Sequence, residues 1–523
     1  MSGARVVLSS SKLPSSNQAA PAAMVDNDTE AALLSKPSKD EACKEEAPKS
    51  ISAKHVALVV VVALTSVTQG TATKGWTAVL PKMQNDTQTF TVTDDDVAWL
   101  VSMTSIVGIF TSLCTGPLVE WAGPRRVLTV AMAASTAMWL LLAFPPNKAV
   151  LFVARGGLGA CVFIITTISL PLLAELSPSR IRGAMTAMSE VCGSIGLLIG
   201  YLMAYLFTWQ VATALCSLTA GLLLLPTMLV PESPYWLVRR GRTEAARGSL
   251  QRLMGSKAAA EDELSAISSM PAARQASRTQ QFTELAKGRN ARPVLLVLSF
   301  FVLRELGGRS CIMMYTVYIF REAGVQLDAF TCTVLVGVAR TLCTCLTAAV
   351  LDKTGRRPML MGTAVVGGVA QGACGLFLYL QVPGASWVPL AAVLVYVAAY
   401  GTGIGPIPWV YVGELVPSPV RSLGASLITA CDAVVVFSIN LGFLRLISHI
   451  GLGVTFIIFG VLNILIGVIV WLLVPETKGV HLQELELAFS RPEEAAEESE
   501  EQSMLAAAPA EACMKVNTGT QDC

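Results

Sequence analysis

Charged side chains are scarce in this sequence: Asp, Glu, Lys and Arg make up 14% of its 523 residues, against 53% hydrophobic. A soluble domain needs more charge than that to cover its surface. Histidine is scarcer still, with His55, His449 and His481 as the full set, so a His-based catalytic or metal centre has little to draw on. The formal net charge of +1 leaves no basic stripe for a nucleic acid. Thirteen cysteines are present, but they fall singly, mostly within apolar blocks. That spread offers no disulfide framework and no metal-ligand spacing. There is no Walker-type phosphate loop and no nucleophile motif. The expectation is therefore a chain that is not an enzyme, takes no metal or cofactor, binds no nucleic acid and is driven by gradients instead of ATP. Residues 1–50, rich in Ser, Ala, Lys and Glu, lack the apolar core of a cleavable signal peptide. They read as a disordered tail.

What the sequence does have is long apolar blocks. Stretches such as Val56 to Leu64, Leu215 to Val230 and Val454 to Val474 approach or reach the length that crosses a ~30 Å hydrocarbon layer. Buried helices of a soluble protein would give shorter blocks of roughly 10–14 residues. Twelve spans follow, at about 55–80, 97–118, 127–144, 148–172, 183–207, 210–230, 293–320, 329–351, 358–381, 387–412, 422–448 and 452–474. The expected fold is an all-α membrane protein of twelve transmembrane helices in two pseudo-symmetric six-helix bundles. The expected parts are a cytoplasmic tail over 1–54, an N-terminal bundle over 55–230, a helical cytoplasmic linker over 231–292, a C-terminal bundle over 293–474 and an acidic tail over 475–523.

Loop charge sets the orientation. Arg125 and Arg126, Arg180 and Arg182, Arg239 to Arg242, Arg356 and Arg357, and Arg421 fall on one side, while Asp94, Asp95, Asp96 and Asp328 fall on the other. By the positive-inside rule the Arg-rich loops and both termini are cytoplasmic, in a membrane expected to be the plasma membrane. The sequon Asn85-Asp86-Thr87 then lies in the first outside loop, so Asn85 is the expected glycosylation site, while the sequon at Asn27 stays unmodified. Glu500 followed by Met504-Leu505 has the spacing of an acidic dileucine signal for a sorting adaptor; a plain solvated tail is the competing reading.

Loops six spans apart repeat the same chemistry. Glu120, Gly123, Arg125 and Arg126 after span 2 match Asp352, Gly355, Arg356 and Arg357 after span 8. Glu175, Pro178 and Arg182 after span 4 match Glu414, Pro417 and Arg421 after span 10, and Pro231-Glu232-Ser233 after span 6 matches Pro475-Glu476-Thr477 after span 12. Internal duplication of this kind marks transporter halves. Acids and arginines at helix ends can bridge the halves in one state and must part in the other. Such partly exposed pairs contribute ~0–1 kcal/mol each, which suits a switch between nearly equal states. The simpler reading is membrane anchoring by the Arg residues alone.

The ordered set of motifs resembles the sugar porter family of the major facilitator superfamily over about residues 55–480. It comprises Gly116-x-x-x-Glu120-x-x-Gly123, Arg155 with Gly156, Gly157 and Gly159, the two Glu/Pro/Arg loops, Pro-Glu-Ser-Pro, Pro-Glu-Thr-Lys-Gly and Gly403-x-Gly405-Pro406-Ile407-Pro408-Trp409. Among animal branches it is most similar to the glucose- and trehalose-type facilitators. The resemblance implies alternating access for a small polar solute, a sugar first of all, by facilitated or proton-coupled transport, with Trp409 stacking on the solute's apolar ring face. The two prolines also remove backbone donors, so span 10 is expected to break mid-membrane.

The cavity positions leave the family pattern. The family's neutral amides are replaced by Glu190 in span 5, by Arg304-Glu305-Leu306-Gly307-Gly308-Arg309-Ser310 in span 7 and by Asp432 in span 11; Lys74 and Arg340 are further unexpected charges. Ionisable groups at such depth cost ~2.5–3.5 kcal/mol each even on lenient scales, so they pair, face water or work. The candidate solute-binding residues are Glu190, Arg304, Glu305, Ser310, Trp409 and Asp432, with Glu190 and Asp432 the acids that could couple a proton. The altered charges keep two alternatives open, a carrier of a charged organic solute and a non-transporting nutrient sensor on the same fold.

Overall fold

The structure, a computed structural model, describes residues 53–86, 90–178, 181–269, 283–285, 288–382, 384–417, 420–474 and 476. Almost all of the two expected tails, the section near Pro271 to Gln281, the sequon at Asn27 and the sorting motif at Glu500 lie outside the described residues. So do the side chains of Arg182, Asp352 and Arg421.

The described residues form helices and no strand. Ten helices are long and apolar enough to cross a membrane. One of them, Leu423–Leu473, runs through two expected spans; its backbone departs from helix at Gly451, with φ of 80°, between spans 11 and 12. Span 7 is missing from the ten because it is chopped into Gly288–Leu306, Arg309–Met314 and Thr316–Glu322 and carries charge. Counting both gives the twelve crossings that hydropathy predicts, so the chain is an integral membrane protein.

The turns follow from local chemistry. At the start of span 2, Thr93 and Asp96 form a reciprocal capping box, and Asp94, Asp95 and Asp96 fill the first turn. Acids there complement the helix dipole, which accounts for an acidic cluster on that face. On the opposite, Arg-rich face, spans 2 and 3 are joined by Gly123 at φ of 93° and spans 8 and 9 by Gly355 at φ of 86°. Both conformations favour glycine. Between the halves, helices Pro234–Arg239, Thr243–Met254 and Lys257–Ser269 pack around Trp236, Leu237, Leu250, Leu264 and Ile267.

In the N-terminal half, spans 1, 2, 4 and 5 are stitched by polar contacts inside the bundle. Ser66 and Ser189 hydroxyls lie 2.5 Å apart, and Thr65 and Ser169 hydroxyls 2.8 Å apart. Arg155 of span 4 is fully buried; its Nε donates to the Leu100 carbonyl at 2.9 Å and its Nη1 to the Ala72 carbonyl at 2.7 Å, with the Trp76 ring 4.6 Å from its guanidinium.

The halves are joined from mid-span toward the acidic face. Ser194 of span 5 meets Thr344 at 3.2 Å and accepts from Thr341 at its carbonyl. Tyr201 donates to the Met313 carbonyl, Tyr318 donates to Gln84 at 2.6 Å, and Arg445 pairs with Asp95 at 2.8 Å.

Candidate functional site

Two broken helices face each other in the C-terminal half, and charge collects at the breaks. In span 10 the α-helix Val388–Ala399 widens into a π-turn at Tyr400–Ile404 before a new helix starts at Ile407. The break expected from Pro406 and Pro408 is there. Gly405 N–H reaches back to the Tyr400 carbonyl at 2.9 Å, and the Gly401 carbonyl accepts from Thr347 at 2.9 Å. In span 7 the break falls at Gly307-Gly308, with Gly308 at φ of 87°. A Cβ there would stand 2.3 Å from the Phe459 ring, so only glycine fits. The Gly307 carbonyl, released by the break, accepts from Gln371 Nε2 at 3.1 Å and Asn463 Nδ2 at 3.0 Å. Freed backbone at membrane depth needs such partners.

Arg304, last turn before the span 7 break, is buried and its guanidinium is shared. Nη1 donates to the Gly405 carbonyl at 3.3 Å, Nη2 reaches Asp432 Oδ1 at 3.3 Å and Nε lies 3.3 Å from Glu305. The guanidinium also lies 4.0 Å from the Phe301 ring centre and 5.6 Å from that of Trp409. Glu305, fully buried, pairs in addition with Arg309 one turn on, and Arg309 Nη1 donates to the Tyr400 hydroxyl at 3.5 Å. Arg304, Glu305, Arg309 and Asp432 thus form a neutral tetrad that ties spans 7, 10 and 11 together. Trp409 is 47% exposed and stands perpendicular to the Phe301 ring, with ring centres 4.7 Å apart.

The other proposed site residues divide. Ser310 is buried directly after the break. Glu190 does not join the tetrad: it is exposed and makes no ion pair among the described residues, one helical turn toward the Arg-rich face from Ser194. Its expected part in balancing the buried cations is therefore not seen. Lys74 and Arg340 do come to the cluster. Tyr400 lies within electrostatic reach of Arg309, Arg340, Lys74 and Arg304, and the Arg340 guanidinium sits 4.8 Å from the Tyr400 ring centre.

On the Arg-rich face the described loop contacts named in the sequence stay within one half. Arg356 Nε lies 3.4 Å from Glu414, and Glu175 accepts from the Ser233 hydroxyl. Glu120 is exposed; its carbonyl, not its carboxylate, accepts from Trp236 Nε1 at 3.1 Å. Arg126 is exposed, while Arg125 Nη2 donates to the Met228 carbonyl at 2.5 Å and Arg357 Nη2 to the Trp471 carbonyl at 2.7 Å. The acids that hold the first turns of spans 3 and 9 are Glu232 and Glu476, accepting from the amides of Arg125 at 2.9 Å and Arg356 at 3.1 Å. The Pro-Glu repeat marks both positions, though their partner is not apparent from sequence. Burial pushes the Glu232 carboxyl above its ordinary range, opposed by the Arg125 and Ser233 amides and the nearby arginine charges. Nor does the sequence single out Gln371, Asn463, Phe301 or Tyr400; a lone amide inside a long apolar run is the one signal that points to Gln371 and Asn463.

A family model described as sugar (and other) transporter matches residues 56–489. The facilitated trehalose transporter of Polypedilum vanderplanki is 32% identical over 441 residues, covering 83% of this chain and 87% of its own. That of Apis mellifera ligustica is 30% identical over 421 residues, covering 79% and 84%. Among solved structures, the inward-open xylose transporter XylE of E. coli superposes with a TM-score of 0.70 at 22% identity, over 83% of this chain and all of that one. At that identity the likeness speaks for the fold alone. With its family model, its relatives and its fold in agreement, this chain belongs to the sugar (and other) transporter family.

Proposed function

We propose that this chain moves a small polar solute of sugar size, hexose or trehalose in the first instance, by alternating access of its two halves, and that it is not an enzyme. The observation that supports this best is the pair of facing breaks in spans 7 and 10. They place the Arg304 guanidinium, the Gly405 carbonyl, the Asp432 carboxylate and the half-exposed Trp409 ring together at mid-span. Polar groups and irregular backbone at that depth serve a solute path. The halves joined toward the acidic face, with loop pairs kept inside each half on the Arg-rich face, fit a state open to the Arg-rich side. We take that side as cytoplasmic, in the plasma membrane, with both termini on it. The facing breaks at mid-span and the match to a transporter family favour transport over catalysis and over sensing alone.

A coupled proton would need a carboxylate whose partner changes between states. Asp432 is the candidate, because of the two carboxylates in the tetrad it is the more accessible, 13% exposed against a fully buried Glu305. The test is uptake of labelled glucose and trehalose into proteoliposomes at two pH values, for the wild type and Asp432→Asn. Time-dependent, saturable uptake supports the transport reading and its absence for every solute tried removes it. Loss of pH dependence in Asp432→Asn supports coupling there, and unchanged pH-dependent flux rules that carboxylate out.

A further inference from the structure

The charge at mid-membrane does not balance. Four cations, Lys74, Arg304, Arg309 and Arg340, share the neighbourhood of the Tyr400 side chain. Two carboxylates face them, Glu305 and Asp432, and both are engaged by Arg304 and Arg309. That tetrad is neutral by itself, which leaves Lys74 and Arg340 over. Arg340 is 8% exposed, its Nη1 has no hydrogen-bond partner, and its guanidinium faces the ring of Tyr400 at 4.8 Å. The half-buried Lys74 makes no ion pair or side-chain hydrogen bond among the described residues, and Arg340 is among the charges acting on it. A buried or half-buried cation without an anionic partner is costly, and two that repel each other more so. Such groups persist where a ligand completes them.

We propose that Lys74 and Arg340 form an anion subsite and that the solute is a sugar acid, a polyol bearing one carboxylate, of hexuronate size. The proposal rests on the transport reading above and names its cargo. A guanidinium fork fits a carboxylate edge with two parallel donors, and an ammonium nearby adds a point charge. The hydroxyl of Tyr400 and the half-exposed Trp409 ring suit the polyol remainder. Placement adds a second consequence. Lys74 is on span 1 and Arg340 on span 8, so a carboxylate held by both touches both halves at once. A ligand shifts a conformational equilibrium only by its differential contacts, and one bridging the halves favours the state in which they close around it. Neutral sugars would bind the polyol part and leave the two cations opposed.

The experiment uses the full chain in proteoliposomes with labelled glucuronate, gluconate, glucose and trehalose, and the same solutes as ligands in a thermal-shift assay in detergent. The expected result is glucuronate uptake at least tenfold above glucose. Lys74→Gln and Arg340→Gln should each lower the glucuronate-to-glucose ratio by tenfold or more, mainly through KM, with Arg340→Lys partly restoring it. Thermal stabilisation by glucuronate should vanish in both Gln variants, a readout that a merely structural role would not move selectively. Saturable glucose or trehalose uptake with no preference for the acids overturns the inference and leaves the transport reading standing. Glucuronate-specific stabilisation without uptake of any solute supports the subsite while overturning transport. Neither uptake nor stabilisation overturns both.

Discussion

Removing the Glu305 charge should be the most damaging single change in the membrane interior. Glu305 is the hub of the tetrad: fully buried, 3.3 Å from Arg304 Nε and paired with Arg309 on its own span. Glu305→Gln keeps the volume and deletes the charge. Arg304 then retains Asp432, and Arg309 is left with the Tyr400 hydroxyl at 3.5 Å. Stripping one partner from a buried pair costs about 3–5 kcal/mol, because the survivor is an uncompensated buried ion. Neutralising both partners is much cheaper, since no lone ion remains. The double variant Glu305→Gln/Arg309→Gln should therefore be more stable than the single one. At ~2–4 °C per kcal/mol for a unit of the size of one six-helix half, the single variant should melt roughly 6–20 °C lower. Half or more of that should return in the double variant. The assay is the thermal midpoint of detergent-purified protein, followed by loss of the monodisperse size-exclusion peak at a fixed heating rate. A single variant within ~2–4 °C of wild type would mean that water already screens the cluster. A double variant less stable than the single would refute the charge argument outright.

Gly308→Ala should lower stability by roughly 2–4 kcal/mol, from a positive φ and a methyl 2.3 Å from Phe459, read in the same melting assay. Normal melting of that variant would contradict the break geometry. Glu232→Ala should cost about 1–2 kcal/mol by leaving the Arg125 amide without its acceptor, whereas Glu232→Gln keeps an acceptor and should be close to wild type. The sign with pH follows from the raised carboxyl: the folded protein holds this proton more tightly than the unfolded chain, so the group's contribution is greatest at low pH and is lost as pH rises through its raised range. The melting difference between wild type and Glu232→Gln should narrow on acidification, and a difference that widens would reverse the assignment. Asn85, exposed at the end of the helix Leu80–Asn85, should carry a glycan in a secretory-pathway host. A mobility shift on glycosidase treatment, lost in Asn85→Gln, checks this together with the orientation.

Hydropathy alone reveals the twelve crossings, because the solvent demands ~20 apolar residues at each. The break in span 10 is equally legible, since Pro406 and Pro408 delete donors whatever surrounds them. The break in span 7 is not. Gly307 and Gly308 signal it only weakly, and the groups that satisfy it, Gln371 and Asn463, come from spans 9 and 12. The intramembrane charges are visible one by one as misfits, but their partners are a matter of which helices adjoin. Glu190 shows the limit: sequence counts it among the acids available for pairing, and its place on span 5 leaves it out of the cluster. On the loops the repeat is legible and the bonding is not. Glu120 looks like the acid of the first turn, yet the acceptor for the Arg125 amide arrives from 107 residues further along the chain.

That long-range acceptor has a mechanical meaning. Glu232 fastens the exit of span 6 onto the start of span 3, and Glu476 fastens the exit of span 12 onto the start of span 9. Each half thereby has two of its helix ends clasped together at one rim. Such clasps resist sliding of those helix ends, which favours motion of one bundle against the other across the contact of Ser194 with Thr344. Cutting either clasp should add compliance inside a bundle and so waste part of each rocking stroke, slowing turnover without touching the solute.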